Sequence, residues 1–206
     1  MTRLVVATEN AGKLREIALA LNAQQIEVVG LAQIADRTPV PETGNTFEEN
    51  ARLKAAAWSK RTDALVLADD SGLEVDALGG EPGVHSARYG GRGFDDAERT
   101  QLVLERLEGV TDPAQRSARF RCVLALARGG TVLATFEGTV EGYIADAPSG
   151  TNGFGYDPIF FHPPSGCTTA QLSPEQKQRI SHRGQALARF LEALACRDPR
   201  LGPYEG

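Results

Sequence analysis

At 206 residues, 41% of them hydrophobic and 24% charged, the chain is long enough for one large domain or two lobes around a substantial core. A net charge of −5 argues against a binder of polymeric nucleic acid, but leaves room for a small polyanion where a few Lys and Arg converge and a divalent cation helps. No apolar run has the length of a membrane helix and the first residues carry no signal-like core. Cys122, Cys167 and Cys196 have neither disulfide nor zinc spacing, so a cytoplasmic, reducing setting is expected.

Residues 3–8 read as a first strand, and Glu9-Asn10-Ala11-Gly12 turns the chain into a helix whose Leu14, Ile17, Ala18 and Leu21 form one apolar stripe. Asn10 is the expected N-cap. Gly12 and Lys13 then fall in the first turn, where free amides and an ammonium make a ready anion site. Taken alone, Lys13 reads as a solvated surface lysine. A second strand is expected over 26–30, followed by a loop through Pro39, Pro41 and Gly44 that carries Glu42. Thr46-Phe-Glu-Glu49 has capping-box spacing and opens a helix to about Lys60, with Phe47, Ala51, Ala55 and Trp58 on its apolar face. Asn50 and Lys54 lie at the margin of that face, so Lys54 either reaches a ligand or snorkels to water.

Residues 65–68 suit a buried strand that ends in a turn, Asp69-Asp70-Ser71-Gly72, with Gly72 supplying the positive φ a sharp exit needs. Two adjacent carboxylates there are costly to bury unless paired, hydrogen-bonded or bound to a cation. Residues 73–78 alternate like another strand. The glycine-rich stretch 79–93, holding His85, Arg88 and Tyr89, reads as a lid or as a long loop. A helix is expected from Asp95 to Leu107. Strands over 117–128 and 131–143, joined by Gly129-Gly130, form an antiparallel ribbon and make the sheet mixed.

Thr151-Asn-Gly-Phe-Gly-Tyr-Asp-Pro158 suits a loop presenting Phe154 or Tyr156 as a flat platform for a planar group. Ser173-Pro174 opens a short helix and Ser181 is placed to cap the last one, so Lys177, His182 and Arg183 gather near helix ends. Residues 197–206 read as a disordered tail. Neither an HExxH metal motif nor a GxSxG elbow is present. Ser71 has no evident histidine base, which speaks against covalent serine chemistry.

Taken together, Thr8-x-Asn10-x-x-Lys13, Glu42-Thr-Gly44, Ala68-Asp-Asp-Ser-Gly72, Ser86-Ala-Arg-Tyr89, Gly153-Phe-Gly-Tyr-Asp157 and Ile180-Ser-His-Arg183 resemble the inosine triphosphate pyrophosphatase family, most closely its bacterial branch. Any one motif could arise by chance, whereas all of them in order along nearly the whole chain are highly specific. Departures are small: His85 where an aromatic is common, Gln176 where an acidic residue is frequent, and the extra tail.

The resemblance implies an α/β fold over residues 1–196, an elongated mixed β-sheet flanked by helices, with two lobes and a central cleft. It implies a homodimer, and Mg²⁺-dependent hydrolysis of dITP, ITP and XTP to the monophosphate and pyrophosphate. By position, Thr8, Asn10 and Lys13 match the phosphate-binding loop, and Gly12 joins them as the substrate-binding glycine of the helix start. Glu42 and Asp70 match the metal-associated carboxylates, Asp70 also being the expected base, and Ser71 matches a substrate contact. Phe154, Gly155, Tyr156, Asp157, Lys177, His182 and Arg183 match the base pocket.

These roles agree with the chemistry of the residues. Lys13, Lys54 and Mg²⁺ can neutralise a triphosphate, and carboxylate oxygens suit Mg²⁺. A 6-oxo purine accepts from Lys177, His182 or Arg183, where adenine offers a donor instead. The rivals are a sister pyrophosphatase for modified pyrimidines and a nucleotide sensor without turnover.

Overall fold

The computed structural model describes residues 2–24, 26–91 and 93–201. Seven strands form one mixed sheet in the order β2-β1-β3-β4-β5-β6-β7. They are β1 (Thr2–Ala7), β2 (Ile26–Gly30), β3 (Leu65–Val75), β4 (Ser117–Arg128), β5 (Thr131–Ile144), β6 (Phe160–His162) and β7 (Cys167–Thr168). The β2-β1-β3 part is parallel, with Leu4 opposite Val28 and Leu65, whereas β5-β6-β7 is antiparallel. The helices are α1 (Ala11–Leu21), α2 (Phe47–Ser59), α3 (Asp96–Arg106), α4 (Pro174–Ile180) and α5 (His182–Ala195).

The helix starts follow the side chains that satisfy first-turn amides. Asn10 accepts from the Lys13 amide and Thr46 from the Glu49 amide, while Asp95 and Ser173 form complete capping boxes. At α2 the box is displaced by one residue, because Glu49 reaches back to the Asn45 amide at 2.6 Å rather than to Thr46.

The chain forms two compact units, and β3, β4 and β5 each pass from one into the other. The first unit comprises residues 1–70, 122–138 and 183–206. Its core takes every second residue of the strands: Leu4 and Val6, Leu65 and Leu67, Cys122, Leu124 and Leu126, Ala134 and Phe136. These pack with Ile17 and Leu21 of α1 and with Leu187, Phe190 and Leu194 of α5. Val66 and Ala68, with the other parity, are buried on the opposite face, and α2 buries Phe47, Ala51, Ala55 and Trp58. Leu201 belongs to the first core and ends a 3₁₀ turn, Pro199–Leu201. Residues 202–206 lie outside the described residues, as does Arg92 of the glycine-rich stretch.

The second unit, residues 71–121 and 139–182, has its own core of Leu73, Val75, Val103, Leu107, Phe120, Val140, Ile144, Tyr156 and Phe160. The glycine-rich stretch is docked on it. Ser86 Oγ accepts from the Leu73 amide at 2.9 Å and donates to the Gly83 carbonyl at 2.7 Å. The Tyr89 hydroxyl donates to Glu81 at 2.9 Å and takes a bond from Arg106 at 2.6 Å. Among the described residues, no helix is long and apolar enough to cross a membrane.

The largest difference from the sequence reading concerns Asp69-Asp70-Ser71-Gly72. No turn interrupts the chain there, and β3 runs unbroken from Leu65 to Val75. Gly72 is not required for a positive φ. It is required because a Cβ at that position would lie 2.2 Å from Ser86 Oγ and 2.7 Å from the Gly83 carbonyl. Pleating instead of turning sends the two aspartates to opposite faces of the sheet.

Candidate active site

Asp69 shares its face of β3 with Leu65 and Leu67, towards α1 and α5, and is 1% exposed. Its Oδ1 meets Lys13 Nζ at 2.6 Å and its Oδ2 accepts from Arg183 Nε at 2.7 Å. Arg183 Nη1 continues to Glu16 at 2.5 Å, and the Cys122 thiol donates to Asp69 Oδ2 at 3.3 Å. Burial alone would raise the Asp69 carboxyl, but the Arg183 and Lys13 charges hold it well below the ordinary carboxylate range. Burial pushes the Cys122 thiol well up, which leaves it a neutral donor.

Asp70 faces α2. Lys54 Nζ lies 2.6 Å from Asp70 Oδ1, 2.7 Å from Glu42 Oε1 and 2.9 Å from the Asp69 carbonyl oxygen. The second oxygen, Asp70 Oδ2, is buried without a hydrogen-bond partner among the described residues. Burial shifts the Asp70 carboxyl upward, with Lys54 and the Lys13 charge opposing the shift and Glu42 adding to it. Burial would lower the Lys54 ammonium, yet the Asp70 and Glu42 charges outweigh that and raise it.

The Glu42 loop is fastened by Asn50, a fully buried α2 side chain that accepts from the Gly44 amide at 2.8 Å and donates to its carbonyl at 3.3 Å. Asn50, expected at the margin of the α2 apolar face, is instead buried and ties the Glu42 loop to the helix. An amide on an otherwise apolar face, six residues after a loop glycine, is the signal that marks it.

Two carboxylates with one ammonium between them, and one carboxylate oxygen unsatisfied, form a donor set that fits a hard divalent cation. Among the described residues no larger group of His, Cys, Asp and Glu is placed to hold a metal. The phosphate-loop candidates frame the start of α1. The Asn10 amide donates to Thr8 Oγ1 at 3.1 Å and Gly12 is buried. Lys13 is not a freely solvated lysine, since its ammonium is drawn in to Asp69.

The second unit carries the base-pocket candidates. Asp157, 2% exposed, organises its loop: Oδ2 accepts from the Phe154 amide at 2.8 Å and Oδ1 from Thr169 Oγ1 at 2.8 Å. Lys177 Nζ pairs with Asp157 Oδ2 and lies 4.9 Å from the Phe154 ring centroid. Gly153 has φ +78°, and a Cβ there would lie 2.1 Å from Asp157 Oδ2, so the loop closes round the carboxylate only with glycine at that point. The His182 ring stacks on Phe120 with centroids 4.8 Å apart. Ser71, half-buried, is the first residue of β3 in this unit.

Not every sequence candidate is held where its expected role would place it. Tyr156 is a core residue and not a platform. Its ring is buried and its hydroxyl donates to the Ser86 carbonyl at 2.8 Å, because the loop turns it inward while Phe154 stays partly exposed. Gly155 donates its amide to Asp96 at 2.9 Å, tying the loop to the start of α3. A cavity of about 750 Å³ opens on that side, between α3 and the loop, and only Phe154 and Gly155 of the site candidates line it. Arg183 is buried on Asp69 and Glu16 in the first unit, whereas Lys177 and His182 belong to the second.

Comparison with known proteins supplies the lineage. The chain is 52% identical to a dITP/XTP pyrophosphatase of Geobacillus kaustophilus, over 93% of this chain and 94% of that one. It is 46% identical to a dITP/XTP pyrophosphatase of Bacillus subtilis, over 94% of this chain and 98% of that one. Among solved structures, a HAM1 protein from Coxiella burnetii superposes with a TM-score of 0.85 at 44% identity, covering 95% of this chain and 99% of that one. A dITP/XTP pyrophosphatase from Mycobacterium abscessus superposes with a TM-score of 0.73 at 44% identity, covering 92% and 99%. A profile of the Ham1 family matches residues 4–193, and the chain belongs to that family.

Proposed function

We propose that this protein is a Mg²⁺-dependent pyrophosphatase that hydrolyses dITP, ITP and XTP to the monophosphate and pyrophosphate, clearing non-standard purines from the nucleotide pool. The observation that carries the reading is the Glu42–Lys54–Asp70 cluster, with one cation against two carboxylates and a buried oxygen of Asp70 unpartnered. The names of the relatives supply the substrate class. We further propose that the protein acts as a cytoplasmic homodimer. A sensor without turnover is the weaker reading, because the site keeps a complete pair of acidic ligands.

The first unit carries the phosphate chemistry in this proposal. Amides of the first turn of α1, with Lys13 and Lys54, take the charge of the triphosphate, and Thr8 and Asn10 hold that turn in shape. Glu42 and Asp70 would hold Mg²⁺, whose charge would stabilise the leaving pyrophosphate. Asp70 also orients the attacking water and accepts its proton.

The second unit carries base recognition. Phe154 offers a stacking face, and Ser71 and Gly155 add polar contacts. Lys177 and His182, oriented by Asp157 and Phe120, donate to a 6-oxo group. Arg183 completes the substrate-binding set with its guanidinium oriented by Asp69 and Glu16.

The test is a panel of purified triphosphates with pyrophosphate as the readout, with and without Mg²⁺. Pyrophosphate from ITP, dITP and XTP, far exceeding that from ATP and dependent on Mg²⁺, is the expected result. Hydrolysis in ¹⁸O-water should place the label in the monophosphate. Label in inorganic phosphate, with a diphosphate product, would sink the proposal.

A further inference from the structure

Lys54 is placed oddly for a lysine whose partner is a triphosphate. An ammonium has three donors, and here all of them are spent inside the carboxylate pair, on Asp70 Oδ1, Glu42 Oε1 and the Asp69 carbonyl. Glu42 and Asp70 are also the oxygens a divalent cation would use. The Lys54 side chain is only 11% exposed, so solvent screens poorly between its charge and a cation brought to the same two carboxylates. The lysine and the metal therefore compete for one place. The backbone around that place is fixed, by α2 under Lys54 and by Asn50 under the Glu42 loop, whereas the lysine stem is flexible.

We infer that Lys54 is an internal counter-ion for the Glu42–Asp70 pair, one that weakens divalent-cation binding to the nucleotide-free protein and yields the pair when a triphosphate takes up its ammonium. The inference rests on the metal and triphosphate roles proposed above. It goes beyond them in making the lysine a gate on metal affinity as well as a contact for phosphate. Metal and nucleotide are then coupled, each raising the affinity of the other by the same factor. Part of that coupling runs through Lys54 and is lost with its charge.

The experiment measures Mn²⁺ binding by electron paramagnetic resonance, with and without α,β-methylene-ITP, for the natural protein, Lys54→Met and Lys54→Arg. Without nucleotide, Lys54→Met should bind Mn²⁺ at least about tenfold more tightly than the natural protein, as expected when a repelling charge leaves a sheltered site. Lys54→Arg, which keeps the charge, should bind no tighter. The further tightening caused by the ITP analogue should be smaller in Lys54→Met than in the natural protein.

Thermal unfolding gives a second readout. Without metal, Lys54→Met should melt below the natural protein, and Mn²⁺ should raise its Tm by more. A variant that folds only with Mn²⁺ supports the same conclusion, since the ion has then replaced the lost charge. A Lys54→Met protein that Mn²⁺ neither binds more tightly nor stabilises more than the natural protein overturns the inference. Pyrophosphate release from ITP by the natural protein, measured alongside, separates the two claims. Release without any lysine effect on Mn²⁺ keeps the function and sinks the counter-ion; the reverse pattern keeps the counter-ion and sinks the function.

Discussion

Asp69 and Asp70 are neighbours in β3, and pleating gives them opposite faces and opposite ionic surroundings. On the α1–α5 face, Lys13 and Arg183 stand against Asp69 and Glu16, so the charges balance and the guanidinium and both carboxylates are tied into one network. On the α2 face, Lys54 bridges Glu42 and Asp70, the Lys13 charge also reaches Asp70, and one Asp70 oxygen has no hydrogen-bond partner among the described residues. Buried charge is tolerable when its partners are complete. In the proposed function Asp69 holds Lys13 and Arg183 in place for the substrate, while Asp70 belongs to the reacting groups, although the two are one residue apart.

Asp70→Asn tests that contrast with the largest expected effect. It removes the ionised oxygen proposed as metal ligand and base, so turnover of ITP should fall by about 10²–10⁴-fold or more. The fold should be spared, because the deleted charge is one that burial already disfavours. Near-normal kcat in a folded Asp70→Asn protein would remove it from both roles. Asp69→Asn should show the opposite balance. It strips a counter-charge from Arg183 and Lys13, a change that costs about 3–5 kcal/mol where a buried pair is broken. A lower urea midpoint is the expected readout, and an Asp69→Asn protein as stable as the natural one would erase the distinction between the faces.

How much of this was legible in the sequence follows from the range of the forces involved. Helix starts are local, and Asn10, Thr46, Asp95 and Ser173 could be read as caps from a few neighbouring residues. The ribbon of β4 and β5 was equally open, since alternation and Gly129-Gly130 are contiguous signals. The continuity of β3 was not. Its two carboxylates look like a strand end until their counter-ions are known, and Arg183 is 114 residues away from Asp69.

The same limit explains the site. Motif resemblance paired Glu42 with Asp70, the helix margin offered Lys54 separately as a ligand contact, and the structure joins all three directly. That resemblance could not tell that Tyr156 turns into the core, because the partner of its hydroxyl is the distant Ser86 carbonyl. Nor could it separate Gly72 as a turn former from Gly72 as a space for Ser86.

Gly72→Ala sharpens the comparison from the scaffold side. A methyl group placed 2.2 Å from Ser86 Oγ must push the docked glycine-rich segment aside, and overpacking of this kind costs up to about 3 kcal/mol. The Tm should fall while the Mg²⁺ concentration needed for half-maximal rate stays unchanged in the protein that remains folded. Adding Ser86→Ala should return part of the lost stability by removing the struck oxygen. A changed metal requirement with unchanged Tm would mean that this part of β3 serves the chemistry directly.

The smallest expected effect lies in the second unit and concerns choice of base. Phe154 presents a face that every purine shares, so Phe154→Ala should weaken ITP and ATP alike, by about 1–3 kcal/mol where aromatic stacking carries the contact. His182 is held differently, flat against Phe120, and in the proposal it reads the 6-oxo edge that only one of the two bases presents. His182→Ala should therefore cut the ratio of kcat/KM for ITP over ATP, by about tenfold if one hydrogen bond of ordinary strength is lost. Because Asp70 and Glu42 belong to the other unit, the Mg²⁺ requirement should not move with it. If the ITP/ATP ratio survives in His182→Ala and falls in Phe154→Ala, the stacking face itself discriminates and the histidine is scaffold, the counterpart in this unit of Asp69 in the first.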